Sequence, residues 1–462
     1  MGTAGPGVII RRLLIANRGE IAVRLLRTCQ RVGIESVLAA SDADLDSPPA
    51  RMADRVVRLG PAPSQASYLS VDAVMAAAGA AGADAVHPGY GFLSESPALA
   101  EACAQAGLVF VGPTPAQLRA VGDKLQARAE ALEAGLPLLP GGEVTTLADA
   151  EHLLAEIGPP LLVKAVGGGG GRGMRQLSEP RALARTLQDS MAEARGAFGD
   201  PRVYLERYVD GARHIEVQLL GDGTEVIHLG DRDCSVQRRY QKLVEEAPAP
   251  GLPDRLRREL HAAAVRLARQ LGYRSLGTVE FLVDSSRDAF YFLEVNPRIQ
   301  VEHPVTEAVT GLDLVAEQLA VAEGRPLRLR QQDVAIAGHA IECRINAEDP
   351  ERDFEPGPGT VRHAVFPAGA GIRVDTALQA GAIVPPFYDS LVAKLIAAGP
   401  DRDAALRRMT EALGRCRIEG IPTTVSLHQD IIASSEFTAG GVDTGWLTRW
   451  LASREHAASR AG

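Results

Sequence analysis

The chain has 462 residues, of which 46% are hydrophobic and 23% charged, and its formal net charge is −9. This balance excludes an intrinsically disordered chain, and the acidic charge argues against a protein that binds nucleic acid mainly through electrostatics. The length predicts roughly two to four domains instead of a single core.

Several targeting features are missing from the sequence. No run approaches the roughly 18 uncharged apolar residues of a membrane span. Arg11 and Arg12 interrupt the stretch that a signal peptide would use, and Pro6 occupies the Ser/Thr position of a myristoylation signal. The five cysteines are far apart and form no CxxC pair, so neither a disulfide framework nor a zinc site is expected. We therefore expect a cytoplasmic protein.

The first predicted unit, residues 1–122, alternates strands and helices. An apolar strand at 8–16 leads into the turn NRGE. A helix follows over 20–32 with Gly33 as its stop, because four apolar residues recur on one face: Ile21, Leu25, Cys29 and Val32. Continued alternation to residue 122 predicts a parallel sheet with helices on both faces.

The second predicted unit, residues 123–330, opens with a helix over 123–134. A strand at 161–166 enters a glycine run, and an amphipathic helix is predicted over 255–272. Two further strands, TVEFLVD and AFYFLEVN, flank the turn SSRD. The third unit, residues 331–446, is predicted as an α+β piece, and residues 447–462 as a polar tail that frays at its end.

The glycine run GGGGGRGMR at 167–175 is the strongest local signal. It contains GxGxxG, but a dinucleotide fingerprint must open a helix, and the following MRQLSEP has no helical stripe. It also lacks the Lys-Ser/Thr that ends a Walker A loop. The remaining interpretation is a strand–glycine–strand hairpin with Lys164 just before it. The backbone N–H groups of such a glycine loop could lie over phosphates. The alternative is a flexible surface loop.

Two glutamates stand on neighbouring strands of the second unit. Pairing across the SSRD turn would set Glu280 and Glu294 opposite or diagonal on one face. Two carboxylates at such a short distance require either a cation between them or a shifted pKa. Oxygen donors of this kind commonly hold Mg²⁺. The alternative is a solvated acidic face.

The segment 294–302 alternates polar and apolar residues. An extended chain would present five polar groups on one side: Glu294, Asn296, Arg298, Gln300 and Glu302. A solvent-facing edge strand would give the same alternation. The mixture of acid, amide and guanidinium groups favours instead a row of cation ligands, an anion clamp and a carboxylate base.

Only four of the 49 basic residues are lysine, and the rest are arginine. Lysine is a compact point charge and arginine a planar fork, so the retained lysines suggest positions that need a point charge. Lys124 follows VGD at a predicted helix start, where the dipole favours anions. Lys242 follows Gln237 in the segment 231–250. Each alone could be a solvated surface charge; together with the glycine run they favour a phosphate site.

With these residues in view, the chain resembles the biotin carboxylases, the ATP-grasp components of biotin-dependent acetyl-CoA and acyl-CoA carboxylases. The resemblance covers roughly residues 8–446 and rests on nine strings: LIANRGEIAVR (14–24), HPGYGFLSE (87–95), VGDK (121–124), VKAVGGGGGRGMR (163–175), RHIEVQ (213–218), RDCSVQRRYQKLVEEAPAP (232–250), NPRIQVEHPVTE (296–307), GHAIECRINAEDP (338–350) and PPFYDSLVAKL (385–395).

The resemblance implies a mixed α/β and α+β architecture of three domains. These would be an N-terminal Rossmann-like, pre-ATP-grasp domain at 1–122, an ATP-grasp domain at 123–330 with a mobile glycine-rich lid at about 138–209, and a C-terminal α+β domain at 331–446. It also implies a ligase reaction in which ATP and bicarbonate give carboxyphosphate and ADP. Carboxyphosphate then carboxylates N1′ of biotin.

The resemblance assigns roles to individual residues. ATP would be bound by Lys124, Lys164, Gly169, Gly170, Gly171, Glu206, Val209, His214 and Gln237. Mg²⁺ or Mn²⁺ would be held by Glu280, Glu294 and Asn296. Bicarbonate would be seated by Lys242, Arg298, Gln300, Val301 and Glu302, with Glu302 as the general base, and Arg344 would stabilise the enolate-like form of biotin. Tyr240 departs from the family pattern, which has His there.

The lysines also bear on the partners. Carrier domains attach biotin to the lysine of an AMKM-like motif, and none of the four lysines lies next to a methionine. The resemblance therefore implies a separate biotin carboxyl carrier protein or domain, a carboxyltransferase component and a homodimer, with neither nucleic acid nor membrane as a partner. Lys394, in the string VAKL, has no assigned role.

Three alternative functions differ in what they require. Another ATP-grasp ligase, forming carbamate or carboxyphosphate for nucleotide synthesis, would lack the string ECRINAED around Arg344. An NAD-binding oxidoreductase would need a helix-opening GxGxxG followed by an acidic residue. A non-catalytic homologue would be expected to have lost Glu302, Arg298 or a metal carboxylate, and all of these are present.

Overall fold

The computed structural model describes residues 8–167 and 174–461. Its first unit is a five-stranded parallel sheet in the order β3-β2-β1-β4-β5, with helices between the strands. The strands are β1 Arg12–Ile15, β2 Glu35–Ser41, β3 Arg55–Gly60, β4 Ala85–His87 and β5 Val109–Phe110. The helices are α1 Gly19–Val32, α2 Pro48–Met52, α3 Val71–Ala81, α4 Pro97–Gln105 and α5 Pro115–Gly122. The predicted parallel α/β sheet is confirmed, and Gly33 ends α1 in the left-handed region, with φ +76°.

The second unit contains a small four-stranded antiparallel sheet and most of a larger one. Its strands are β6 Gly141–Val144, β7 Leu161–Ala165, β8 Met174–Leu177, β9 Val203–Arg207, β10 Arg213–Asp222, β11 Val226–Arg238, β12 Gln241–Ala247, β13 Arg274–Asp284 and β14 Ala289–Asn296. Its helices are α6 Lys124–Glu133, α7 Leu147–Ile157, α8 Leu183–Phe198, α9 Asp254–Gln270, α10 His303–Thr310 and α11 Leu314–Ala322. The small sheet, in the order β6-β9-β7-β8, has its own apolar core with α7 and α8.

The third unit continues the larger sheet. Its strands are β15 His339–Asn346, β16 Glu348–Asp349, β17 Glu355–Pro356, β18 Gly359–Thr360, β19 His363–Val365, β20 Ile372–Thr376, β21 Ile383–Val384, β22 Leu391–Gly399 and β23 Arg417–Glu419. Its helices are α12 Arg402–Arg415, α13 Val425–Ala433, α14 Ser435–Ala439 and α15 Trp446–Ala461.

The eight-stranded antiparallel sheet runs in the order β14-β13-β10-β11-β12-β15-β22-β20, across the second and third units. Pairing of β12 with β15 joins strands that are far apart in sequence. Helix α10 packs on this junction, where Val305 and Val309 meet Ala247, Ala340 and Ile396. The start of α10 therefore lies over the joined strands of both units.

Two sequence predictions are wrong. The chain is not extended from 294 to 302: β14 ends at Asn296, because Pro297 has no N–H for the strand ladder, and the chain turns into α10. The predicted tail at 447–462 is largely the helix α15, because Trp446 and Leu447 are buried in the C-terminal core and Trp450 packs against it.

None of the helices within the described residues combines the length and the apolar character that crossing a membrane requires.

Candidate functional site

A row of charged side chains crosses the larger sheet. Strand register places Glu294 opposite Glu280, Glu280 opposite Glu216, and Glu216 opposite Arg232. Cross-strand partners on one face lie within contact distance, so the pairing concentrates three carboxylates and a guanidinium. The predicted pairing of Glu280 with Glu294 is confirmed.

The ammonium group of Lys242 lies among these carboxylates. Its Nζ donates to Glu216 Oε2 at 2.6 Å, to Glu280 Oε1 at 2.8 Å and to Glu302 Oε1 at 2.7 Å. The Lys242 side chain is only 12% exposed. Burial disfavours its charge, but the surrounding acidic groups outweigh burial and raise the pKa of Lys242 well above its usual value. It is a permanent cation at the centre of the cluster.

Glu302 is held between two cations. Oε1 accepts from Lys242, and Oε2 accepts from Nη2 of Arg344 at 2.9 Å. The residue is 2% exposed, and burial would raise its pKa. The opposing charges of Lys242, Arg344 and Arg232 dominate and hold the pKa of Glu302 below its usual value. Glu302 is therefore a buried, ionised carboxylate at neutral pH.

Arg344 reaches Glu302 from β15, the first strand of the third unit. Its Nε donates to Glu245 Oε1 on the neighbouring strand β12 at 2.5 Å. Burial raises the pKa of Glu245 to about 7, against the opposing effect of the Arg344 charge. The Glu245 contact fixes the plane of the guanidinium, which then presents Nη2 to Glu302.

Glu294 and Asn296 adjoin this cluster at the end of β14. Burial and the neighbouring Glu280 raise the pKa of Glu294, against the opposing charges of Lys124 and Lys164. The Nδ2 atom of Asn296 is buried without a hydrogen-bond partner. Carboxylate and amide oxygens suit a hard divalent cation, so this set fits Mg²⁺ or Mn²⁺.

Arg298 and Gln300 occupy the turn that replaces the predicted extended segment. The Nε atom of Arg298 donates to Glu95 Oε1 at 2.6 Å, and its Nη2 donates to Asn296 Oδ1 at 3.1 Å. Gln300 donates through Nε2 to Glu280 Oε1 at 3.0 Å. Val301 directs its carbonyl to Nζ of Lys394, at 2.9 Å. The turn thus brings Glu302 to Lys242 and Gln300 to Glu280, whereas Arg298 contacts Glu95 and Asn296.

Two further lysines lie beside the small sheet. Lys124 begins α6, whose N-cap is Asp123, and donates to the carbonyl of Ala165 at 3.3 Å. Burial, reinforced by the Lys164 charge, lowers the pKa of Lys124 against the attraction of nearby carboxylates. Lys164, on β7, forms an ion pair with Glu206. Two neighbouring ammonium groups favour binding of an anion such as a phosphate.

Two of the remaining predicted nucleotide contacts, His214 and Gln237, lie on the large sheet. The Nδ1 atom of His214 lies 2.8 Å from Gln237 Nε2, and its Nε2 atom lies 2.9 Å from Glu280 Oε2. Val209 follows β9 and is partly buried. The predicted Gly169, Gly170 and Gly171 lie outside the described residues, but the strands flanking them, β7 and β8, pair antiparallel as expected for a hairpin. Tyr240 is 44% exposed in the turn between β11 and β12.

Sequence analysis missed Arg232, the most buried cation of the cluster. Its guanidinium donates to Glu216 Oε1 at 2.5 Å, to Gln300 Oε1 at 2.9 Å and to three further side chains, those of Gln218, Thr278 and Thr306. The available signal was Glu216 and Gln218 at alternate positions of the stretch IEVQLL within β10. This pattern places both polar side chains on one face.

Comparison with known proteins covers almost the whole chain. Residues 9–118 match the model of the biotin carboxylase N-terminal domain, residues 123–330 that of the carbamoyl-phosphate synthase L chain ATP-binding domain, and residues 342–449 that of the biotin carboxylase C-terminal domain. The chain is 49% identical to the biotin carboxylase of Pseudomonas aeruginosa, over 97% of this chain and 100% of that one.

Two solved structures are similar throughout. One is a biotin carboxylase–beta-gamma-ATP complex from Campylobacter jejuni, at 42% identity and a TM-score of 0.93, covering 96% of this chain and 99% of the other. The second is a dimer of the biotin carboxylase domain of Hydrogenobacter thermophilus 2-oxoglutarate carboxylase, bound to MgADP, ADP and bicarbonate. It is 41% identical with a TM-score of 0.92, covering 96% of this chain and 98% of that one.

Proposed function

Because this chain belongs to the biotin carboxylase family, whose role is the ATP-dependent carboxylation of biotin with bicarbonate, we propose that the cluster around Lys242, Glu302 and Arg344 is its catalytic site. The enzyme is an ATP-grasp ligase that uses ATP, Mg²⁺ and carrier-bound biotin. The single observation that carries the site assignment is the buried Glu302 carboxylate held between two partly buried cations, Lys242 and Arg344.

Bicarbonate would enter beside Lys242, with Arg298, Gln300 and Val301 completing its seat. A carboxylate with a depressed pKa is a weak base while both cations bind it. An incoming anion would share those cations, and this weakens their hold on Glu302 and raises its pKa. Glu302 would then accept the bicarbonate proton as the anion becomes the nucleophile toward the γ-phosphate of ATP.

Arg344 would serve the second half-reaction. Transfer of CO₂ to biotin requires that negative charge develop on the ureido oxygen before N1′ attacks. A guanidinium already oriented by Glu245 meets that need without reorganising. Excluding water is equally important because carboxyphosphate is short-lived, and the glycine-rich segment 167–173, within the proposed lid at 138–209, would cover the nucleotide.

ATP would lie between the small and large sheets. Lys124 and Lys164 would bind its phosphates, assisted by Gly169, Gly170 and Gly171, while the remaining nucleotide contacts would come from Glu206, Val209, His214 and Gln237. Glu280, Glu294 and Asn296 would hold Mg²⁺ or Mn²⁺. When bound, the ion neutralises phosphate charge.

A steady-state assay of ADP release tests this function. We expect ADP release to depend on bicarbonate and to rise when free biotin is added, because biotin consumes the carboxyphosphate that the first half-reaction forms. ADP release that is indifferent to biotin would contradict the assignment.

Substitution of Lys164 by arginine is expected to raise the KM for ATP by about tenfold or more, although the charge is retained. Lys164 is 7% exposed and paired with Glu206, so a wider guanidinium cannot occupy the same position. Arg128→Lys is the matched control, because Arg128 lies 3.5 Å from the same Glu206 and the change also exchanges one basic side chain for the other. A Lys164→Arg enzyme with an unchanged KM would refute the point-charge argument.

We also propose partners outside these 462 residues. None of the four lysines in this sequence lies next to a methionine, which supports a biotin carrier protein or domain outside it. The family role also implies a carboxyltransferase component that accepts the CO₂. A homodimer is supported by the dimeric Hydrogenobacter relative. The five buried, free cysteines support a reducing location such as the cytoplasm.

A further inference from the structure

Lys394 has no assigned role in the site described above, yet it is buried more completely than any other lysine of the chain. It lies in the middle of β22 with 0% exposure. A buried ammonium group is costly unless charged or polar partners surround it. The partners of Lys394 therefore indicate what its charge does.

Groups from all three units meet at Nζ of Lys394. Glu20 Oε2, on helix α1 of the first unit, lies 3.1 Å away. The backbone carbonyl of Val301, in the turn before α10, accepts a hydrogen bond at 2.9 Å. Asp375 Oδ2, on β20, lies at 4.0 Å. The ammonium thus connects the N-terminal unit and the C-terminal strands to the turn that carries Glu302.

The carbonyl of Val301 belongs to the same planar peptide unit as the N–H of Glu302. A contact that fixes this oxygen therefore also fixes the backbone orientation of Glu302, which is the N-cap residue of α10 with φ −80° and ψ 7°. Lys242 and Arg344 hold only the carboxylate of Glu302. Lys394 restrains the other end of the same residue.

Strand register strengthens this connection. Lys394 lies directly opposite Arg344 in the pairing of β22 with β15. Lys394 thus contacts the backbone carbonyl that precedes Glu302, and the neighbouring Arg344 contacts the Glu302 carboxylate. Glu20 is itself held by the hydroxyl of Tyr90, whose ring centroid lies 5.9 Å from Nζ of Lys394. The first unit therefore provides a fixed anchor for the lysine.

We propose that Lys394 is a positioning residue for Glu302, an inference that rests on the proposed role of Glu302 as general base. Lys394 does not contact substrate. It holds the 301–302 peptide against Glu20, so that the Glu302 carboxylate meets bicarbonate in the reactive geometry. Small displacements of a reacting group have large effects on rate, about a hundredfold for 1 Å.

Lys394→Met tests the proposal, because methionine keeps a similar length and removes the hydrogen-bond donor. With bicarbonate and biotin present, kcat for ADP release is expected to fall at least about tenfold, while the KM for ATP changes less than about twofold. In the Glu302→Asp background, where the carboxylate is already displaced, the same change is expected to lower kcat by less than about threefold.

Leu395→Ala is the matched control. Leu395 is the next residue of the same strand and is buried in the C-terminal core, so its truncation destabilises the protein without removing a contact to Val301. Its kcat is expected to stay near the native value at temperatures where the variant is folded. If Lys394→Met does not fold, Glu20→Gln replaces it, because it removes the charge that anchors Lys394 and keeps a polar side chain for Tyr90. The same selective fall in kcat is expected.

Three results would overturn the proposal: an unchanged kcat in the folded variant, an equal loss in the Glu302→Asp background, or a parallel loss of ATP affinity. The test is separable from that of the proposed function. A fully active Glu302→Gln enzyme would refute the proposed role of Glu302 as general base. An inactive Glu302→Gln enzyme together with a fully active Lys394→Met enzyme would refute only the proposed role of Lys394.

Discussion

Replacing Glu302 with glutamine is expected to lower biotin carboxylation by at least about a hundredfold, because an amide cannot accept the bicarbonate proton. The substitution preserves size, but the amide keeps one acceptor oxygen where the carboxylate has two, so it can accept from Lys242 or from Arg344 and not from both. Nucleotide binding, measured by calorimetry with a non-hydrolysable ATP analogue, should stay within about twofold of the native value, since Glu302 contacts neither Lys124 nor Lys164 in the described hydrogen bonds and ion pairs. A large loss of ATP affinity would show that Glu302 has a different role.

Glu342→Gln is a matched control for this experiment. Glu342 lies on β15, fully buried, and both its carboxylate oxygens lack a hydrogen-bond partner. Burial raises its pKa well above the usual value, against the opposing charges of Lys394 and Arg344. An amide keeps the size of the side chain, and no described hydrogen bond of the site is lost, so activity should stay within about twofold of the native value. Equal losses in both variants would indicate general sensitivity to amides in this region.

Replacing Lys242 with methionine is expected to cost about 3–5 kcal/mol of folding free energy and to lower activity more than about a hundredfold. The ammonium neutralises Glu216, Glu280 and Glu302 at once. Without it, close carboxylates would remain buried with too little positive charge, and bicarbonate would lose its cation. Chemical denaturation and the ADP-release assay measure the two effects separately.

A second substitution distinguishes charge balance from lost packing. Adding Glu216→Gln to Lys242→Met removes one of the uncompensated carboxylates and should restore part of the stability while leaving the enzyme inactive. In the native background, Glu216→Gln alone should destabilise, because it weakens the contacts of Arg232 and Lys242. Additive losses in the double variant would contradict the charge-balance explanation.

The sequence predicted the local elements of the site well. Alternation and the SSRD turn predicted the pairing of Glu280 with Glu294, and the glycine run predicted a hairpin between β7 and β8. These predictions depend only on neighbours in the chain, where turn length and side-chain period set the register. The extended segment to residue 302 was predicted by the same rule and was wrong, since a proline at 297 ends the strand pairing.

The missed features depend on contacts between distant segments. Pairing of β12 with β15 places Arg344 beside Glu245 and Glu302, and nothing in either strand specifies that partner. None of the four lysines is exposed, although lysine is almost always a surface residue. Their need for a point charge stays a prediction. For Lys394 the reason became visible only when Glu20 and Val301 were found at its ammonium group.

The central claim is that this site activates bicarbonate through carboxyphosphate. In that reaction a bicarbonate oxygen attacks the γ-phosphorus, ADP leaves, and the later break of the carbon–oxygen bond releases CO₂ and leaves that oxygen on phosphate. Turnover with oxygen-18 bicarbonate and free biotin, followed by mass spectrometry of the phosphate, tests this directly. We predict one labelled oxygen in each phosphate released. Phosphate that carries no label from bicarbonate would contradict the account.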